Sequence, residues 1–263
     1  PYYSRRIGLD AQGRPRVLDG GLKVTGSAAG FDFGAFAARV QGGPGAFGEP
    51  AQAASDVAVL RLARPIGEHH RVGMMATRGN PQGTAGSSLW GVDYQFRDTT
   101  VAGDKTLEAS AWTLQSTNPV ARSATATAEP ASAVVPGQRI DGLAWGASMS
   151  YLNVGPMASM EVQHVGRGFD PALGYLAEDN VLRSRGTVGW WHRTPGGTDI
   201  IPAIDWRFRR TLDGRERTLV LNPEVSWTTP AGDTLMAEFM QEQDRLATAY
   251  SPVPGVTVAP GSY

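Results

Sequence analysis

Ala203-Ile204-Asp205-Trp206-Arg207-Phe208-Arg209 alternates without a break: Ile204, Trp206 and Phe208 fall on one side, Asp205, Arg207 and Arg209 on the other. Successive side chains of a β-strand point to opposite faces, so this period of two predicts a strand with one apolar and one polar face. Asp213-Gly214 follows, a dipeptide that accepts the positive φ of a tight hairpin turn. Beyond it the alternation resumes: Leu219, Leu221, Val225 and Trp227 oppose Asn222, Glu224, Ser226 and Thr228. The two stretches read as an antiparallel hairpin.

The same pattern recurs along the chain. Trp90, Val92, Tyr94 and Phe96 alternate with Gly91, Asp93, Gln95 and Arg97. Leu143, Trp145, Ala147, Met149 and Tyr151 alternate with Ala144, Gly146, Ser148 and Ser150, and Leu235, Ala237 and Phe239 with Thr234, Met236 and Glu238. Residues 3–9, 24–28, 31–40, 56–64, 71–77, 107–115, 157–165 and 185–193 read as extended, with Ala29-Gly30 turning the first hairpin. The reading gives roughly a dozen strands, most near the ~9–11 residues of a tilted membrane strand. Tight turns (102–104, 154–156, 195–197, 231–233) alternate approximately with longer connections at 41–55, 78–88, 118–139 and 166–183. One helical turn is expected within 241–250, and a loop over 251–263.

Composition narrows the class. The 263 residues carry a formal net charge of −1, 19% charged and 41% hydrophobic residues, 33 Gly and no Cys. Near-neutral charge gives no field to attract nucleic acid. No window approaches the ~18 consecutive apolar residues of a spanning helix. The absence of Cys excludes disulfides and thiolate metal sites. The opening Pro1-Tyr2-Tyr3 and the Pro/Gly-rich end are expected to belong to the middle of a longer protein.

A soluble β-sandwich also alternates. Three features favour an all-β, antiparallel, transmembrane (outer-membrane) β-barrel, of which residues 1–263 form part as a single domain. The polar faces mix Gly, Ser, Thr and Asn with charges of both signs, which suits an enclosed wet interior. The apolar faces carry Trp90, Trp145, Tyr151, Trp190, Trp206 and Trp227 near strand ends, as at bilayer interfaces. Closure removes the unpaired strand edges that hydrocarbon cannot solvate.

Four segments in order resemble the DUF5916 family. Pro1-Tyr2-Tyr3-Ser4-Arg5-Arg6-Ile7-Gly8-Leu9 resembles its opening FFSRRIG segment. Leu22-Lys23-Val24-Thr25-Gly26 with the strand at 31–34, and Gly91-Val92-Asp93, are similar to further stretches. Gly168-Phe169-Asp170-Pro171-Ala172-Leu173-Gly174-Tyr175 resembles its F-N-P-E-x-G-F segment, with Asp170 for Asn, Ala172 for Glu and Tyr175 for Phe. The resemblance runs from residue 1 to about 240. It implies a large outer-membrane barrel of Gram-negative bacteria, commonly preceded by a family 9-like carbohydrate-binding domain, and no particular activity.

Candidate residues follow from the faces. Asp93, Arg97, Glu108, Glu161, Asp205, Arg207, Arg209, Glu224 and Glu238 are expected on the interior face, as cross-strand ion pairs or as a charged constriction. Arg5 and Arg6, adjacent in an extended segment, would face opposite ways, each needing an anionic partner. Phe169, Asp170, Pro171 and Tyr175 are expected in a loop at the rim or folded into a pore. Glu224 and Glu238, on neighbouring strands, are the one pair worth weighing for glycoside hydrolysis. His69-His70 lacks the spacing that aims two imidazoles at one ion. No catalytic motif, metal site or cofactor loop is found, so the expectation is a non-enzymatic conduit or receptor, for glycans or other small solutes. The alternatives are a non-conducting anchor for a carbohydrate-binding domain and a hydrolase in the barrel interior. The expected partners are the lipid bilayer and glycans.

Overall fold

In the computed structural model the alternating stretches become one antiparallel meander. It describes residues 6–9, 13–43, 53–81, 86–121, 134–247, 249–253 and 255–263, with the backbone alone at 121, 134–137, 250 and 252. The first strands are β1 (Leu18–Ala28), β2 (Phe31–Val40), β3 (Ser55–Ile66), β4 (His70–Arg78), β5 (Ser88–Val101), β6 (Lys105–Ala121), β7 (Val134–Leu152) and β8 (Gly155–Val165). They continue with β9 (Val181–Arg193), β10 (Asp199–Thr211), β11 (Arg217–Thr228), β12 (Thr234–Glu238), β13 (Gln241–Leu246), β14 (Tyr250–Val253), β15 (Val256–Val258) and β16 (Gly261–Ser262). Fourteen strands form one sheet in chain order to β11, followed by β13 and β16, with β12 also on β11. The pair β14–β15 is separate.

β12 and β13 behave as one strand. Glu224 lies opposite Glu238 and Leu221 opposite Gln241, so the register is unbroken across Phe239-Met240. The helical turn expected at 241–250 is therefore corrected: Gln241–Leu246 is a strand. Propensity alone favoured a helix there, and pairing to β11 overrides it. The end expected as loop holds β14, β15 and β16. Residues 3–9 are not a strand where described: Ile7-Gly8 turn, and only Leu9 bridges, to Pro15. β6 and β7 also extend into the connection expected at 118–139.

Connection lengths follow the meander. Successive connections of a meander fall at alternate ends of its sheet. One set is tight (29–30, 67–69, 102–104, 153–154, 194–198, 229–233); the other is mostly long (41–54, 79–87, 122–133, 166–180), with 212–216 its short member. Ala29 and Gly30 carry φ of 51° and 78°, the mirror-image turn that matches strand twist.

The described residues fall into two compact units. The first comprises Pro1–Tyr94, Trp112–Ala144 and Gly166–Asp179. In it Val57 and Val59 of β3 share a face with Ala38 of β2, and Leu173 from the 166–180 connection is fully buried against them, with Ile7 and Phe36 alongside. Phe169 lies on Gly142, where a Cβ would collide with its backbone. The 166–180 segment thus lies on the face of β2–β3 opposite to Leu60 and Leu62.

The second unit comprises Gln95–Ala111, Trp145–Val165 and Asn180–Tyr263. Its β8–β11 registers are continuous, so parity assigns every residue to a face. One face carries Met160, Val188, Trp190, Ile204, Leu221, Val225 and Trp227, all exposed. The other carries Glu161, Arg185, Thr187, Asp205, Arg207, Asn222 and Glu224. The arrangement inverts that of a water-soluble sheet, because the apolar side is the uncovered one. Trp227 is 51% and Leu235 70% exposed. Soluble monomers rarely leave a contiguous apolar patch above a few hundred Å² without a partner for it.

Candidate functional site

The polar face of the second unit borders a cavity of about 850 Å³. Its charged lining is Arg97, Glu108, Glu161, Arg185, Asp205 and Arg207, interspersed with serines, Thr187 and Asn222. Period-two geometry puts these groups together: each is an alternate residue of β5, β6, β8, β9 or β10. Five residues expected on an interior face, Arg97, Glu108, Glu161, Asp205 and Arg207, meet here.

The charges pair across strands. Arg97 Nε lies 3.2 Å from Glu108 Oε1. Arg185 Nε donates to Glu161 Oε2 at 2.7 Å, and Gln163 Nε2 donates to Glu161 Oε1 at 2.6 Å, so both carboxylate oxygens are engaged. Thr187 donates its hydroxyl to Asp205, and the Ser110 and Ser148 hydroxyls are 2.8 Å apart. Arg209 Nη2 lies 3.5 Å from Glu216 Oε2. Along this wall charges of opposite sign are paired, and Arg207 borders the open space.

Three directly opposed like pairs interrupt the complementarity. Arg185 faces Arg207, and Arg183 faces Arg209. Glu224 faces Glu238. Like charges directly opposite destabilise a sheet, so all three pairs are held by the pattern rather than by mutual attraction. Cross-strand neighbours present both carboxylates from one wall. Glycoside hydrolysis needs them flanking the scissile bond, so this geometry does not supply the second side.

In the first unit, Asp93 receives both guanidinium nitrogens of Arg61, with Nη2 to Oδ1 at 2.8 Å. Arg61 is on β3 and Asp93 on β5, so the side chain must pass over β4. Gly73 of β4 makes this possible, since a Cβ there would meet the Arg61 guanidinium and the Asp93 carboxylate. Sequence reading picked out Asp93 and missed Arg61, although Val57, Val59 and Arg61 follow the same alternation.

Arg6 and Asp170, both candidates from sequence, are brought together at 3.2 Å; Arg6 also donates to the Ala172 carbonyl at 3.4 Å. Arg5 lies outside the described residues. Asp170 is anchored further: Ser116 Oγ accepts from its amide at 3.1 Å, and Asn118 Nδ2 donates to its carbonyl at 2.8 Å. Phe169 is buried, whereas Tyr175 is 74% exposed. The loop is therefore fixed through Arg6, Ser116, Asn118 and Leu173, and the Ala172 amide donates back to Asp170 Oδ1 at 3.0 Å across Pro171. Leu173, its deepest residue, was not singled out from sequence; an apolar residue inside a Pro/Gly-rich stretch was the available signal.

Two of the four histidines are engaged with aromatic rings. His70 Nδ1 is 2.7 Å from the Tyr94 hydroxyl. His164 stacks on Trp145, with centroids 5.5 Å apart and planes at 6°. No cluster that could hold a metal ion is present among the described residues.

No family model, no curated protein and no solved structure matches the chain.

Proposed function

We propose that this chain is part of an outer-membrane β-barrel of a Gram-negative bacterium that passes or receives small polar solutes, glycans among them. The carrying observation is the two-faced sheet: an uncovered apolar face backed by a polar face of paired charges. Lipid covers the first at no cost, and water fills the space beside the second. The strand dimensions agree. On β11, Arg217 and Trp227 bound the apolar run; ten steps of ~3.3 Å at a tilt of ~40° give a height of roughly 25 Å, that of a barrel's apolar band. Tight turns alternating with long connections match periplasmic turns and external loops. The resemblance to the DUF5916 family points the same way and adds the link to carbohydrate.

A second reading, a non-conducting anchor, is favoured by the 166–180 segment. It lies on the face of β2–β3 that belongs to the interior, and Leu173 makes that patch dry. Planar-bilayer recording of the purified full-length protein separates the two. Stepwise conductance supports a conduit; a stably inserted protein silent at every voltage overturns it in favour of the anchor.

A further inference from the structure

The apolar face of the second unit ends in a row of arginines. Arg210 of β10 lies directly opposite Arg217 of β11, and Arg217 opposite Arg245 of β13. Three cationic side chains thus sit side by side on adjacent strands. Parity puts them on the face of Phe208, Leu219 and Leu221 rather than on the face of Glu161 and Asp205. All three are exposed, and among the described residues none has an ion pair. The nearby carboxylates form no ion pair with them: Glu216 pairs with Arg209 and Asp213 with Arg215. Glu242 and Asp244 have the opposite parity to Arg245 on β13 and, among the described residues, form no ion pair with the row.

Opposed like charges cost stability unless an anion shares them. The row borders a cavity of about 680 Å³ whose lining includes all three arginines together with Glu242, Asp244 and Tyr263. The chemistry fits a phosphate monoester: guanidinium groups bind phosphate oxygens with paired, charge-assisted hydrogen bonds. The location selects the source of that phosphate. The row begins where the apolar run of β10 and β11 stops, one strand alternation beyond Phe208 and Leu219. It is at the end of these strands that bears the 166–180 connection, the external end in the proposed barrel. Along β11 the opposite limit of the run is Trp227, whose register partners are Ile200 and Leu235.

We propose that Arg210, Arg217 and Arg245 form a binding site for the phosphate groups of an anionic glycolipid headgroup in the outer leaflet. This rests on the reading of the apolar face as lipid-covered. The site holds phosphate at headgroup level while the acyl chains lie along Phe208, Leu219 and Leu221. Each arginine at a membrane surface contributes roughly a fivefold gain in affinity for anionic lipid, so the row amounts to on the order of a hundredfold.

The test uses the full-length protein in detergent, titrated with a bisphosphorylated glucosamine-disaccharide lipid, its dephosphorylated counterpart and inorganic phosphate. Tm and native mass spectrometry report binding. Wild type is expected to bind the bisphosphorylated lipid at least tenfold more tightly than the dephosphorylated one. The variant Arg210→Gln/Arg217→Gln/Arg245→Gln is expected to lose that preference, and Arg210→Lys/Arg217→Lys/Arg245→Lys to keep part of it. Equal binding of the two lipids, an unaltered preference in the Gln variant, or equal protection by inorganic phosphate overturns the proposal. Tryptophan quenching by brominated acyl chains is measured on the same samples. Quenching without phosphate preference sinks the arginine site alone; absence of quenching sinks the lipid-covered face itself.

Discussion

Leu221 and Asn222 are neighbours on β11 whose side chains leave opposite faces of the sheet, and arginine placed at each should have opposite consequences. Leu221 lies four residues from Arg217 and six from Trp227, the limits of the apolar run. At ~3.3 Å per residue and a tilt of ~40°, that puts it roughly 10 Å and 15 Å from the two edges, near the midplane of the hydrocarbon in the proposed barrel. A guanidinium at that depth on the lipid face costs about 2–4 kcal/mol. Asn222 is on the cavity side and directly opposite Asp205. Arginine there gains a carboxylate neighbour in a wet environment, and the change should stay within about 1 kcal/mol. The assay is reversible guanidinium unfolding from phospholipid vesicles, followed by tryptophan fluorescence. Leu221→Arg should lower the unfolding free energy by about 2–4 kcal/mol, and Asn222→Arg by far less. If the apolar face meets water instead, Leu221→Arg is an ordinary surface substitution, worth within ~0.5 kcal/mol of zero. A neutral Leu221→Arg, or a ranking with Asn222→Arg the more damaging, refutes the assignment of faces.

Asp93→Asn should destabilise the first unit by about 1–3 kcal/mol, less than for a fully buried pair because the Arg61 and Asp93 side chains remain 34% and 18% exposed. A double-mutant cycle with Arg61→Gln reads the coupling, and additive effects would show that the pair contributes nothing. Gly73→Val should separate the same two groups sterically, which Asp93 carboxylate chemical shifts in the variant would report. Leu173→Ala removes a fully buried side chain and should cost about 2–4 kcal/mol, with faster proteolysis of the 166–180 segment; unchanged cleavage would mean the segment is held by Arg6, Ser116 and Asn118 alone. Glu161→Gln leaves Arg185 without its carboxylate and should shift the reversal potential of any conductance toward anions; a shift toward cations would place Glu161 away from the ion path.

What the sequence displayed was parity, and parity is what the registers preserve. Asp205, Arg207 and Arg209 share a face with Glu161 and Glu224 because β8–β11 pair without a bulge, so one correct assignment propagates to all four strands. Gly214 and Gly30 marked their turns because positive φ favours glycine. Strand ends were less so. Residues 118–121 and 134–139 read as loop because Pro119, Pro136 and Gly137 punctuate them and the stretch between is rich in Ser, Thr and Ala, and pairing partners remote in sequence decide otherwise. The stretch at 241–246 failed for the same reason: Gln-Glu-Gln-Asp-Arg-Leu has helical propensity, and its strand state exists through β11. Partnerships that skip a strand were out of reach. Nothing local to Gly73 indicates that its missing Cβ lets Arg61 reach Asp93.

The two classes of unfavourable charge contact on this sheet have different remedies, and that difference constrains what surrounds it. Arg185 opposite Arg207 lies on the cavity face, where Glu161 satisfies one member and water can screen the other. Arg210 opposite Arg217 opposite Arg245 lies on the apolar face, where each alternate neighbour inward is Phe208, Leu219 or Gln243 and, among the described residues, none of the three has an ion pair. A protein surface bathed in water gains nothing from an apolar band ending in an arginine row, because the band is uncovered and the row unpaired. An amphiphile with an anionic head and a hydrocarbon tail corrects both faults in one contact. The uncovered apolar face and the unpaired arginines therefore support each other as signs of the same neighbour.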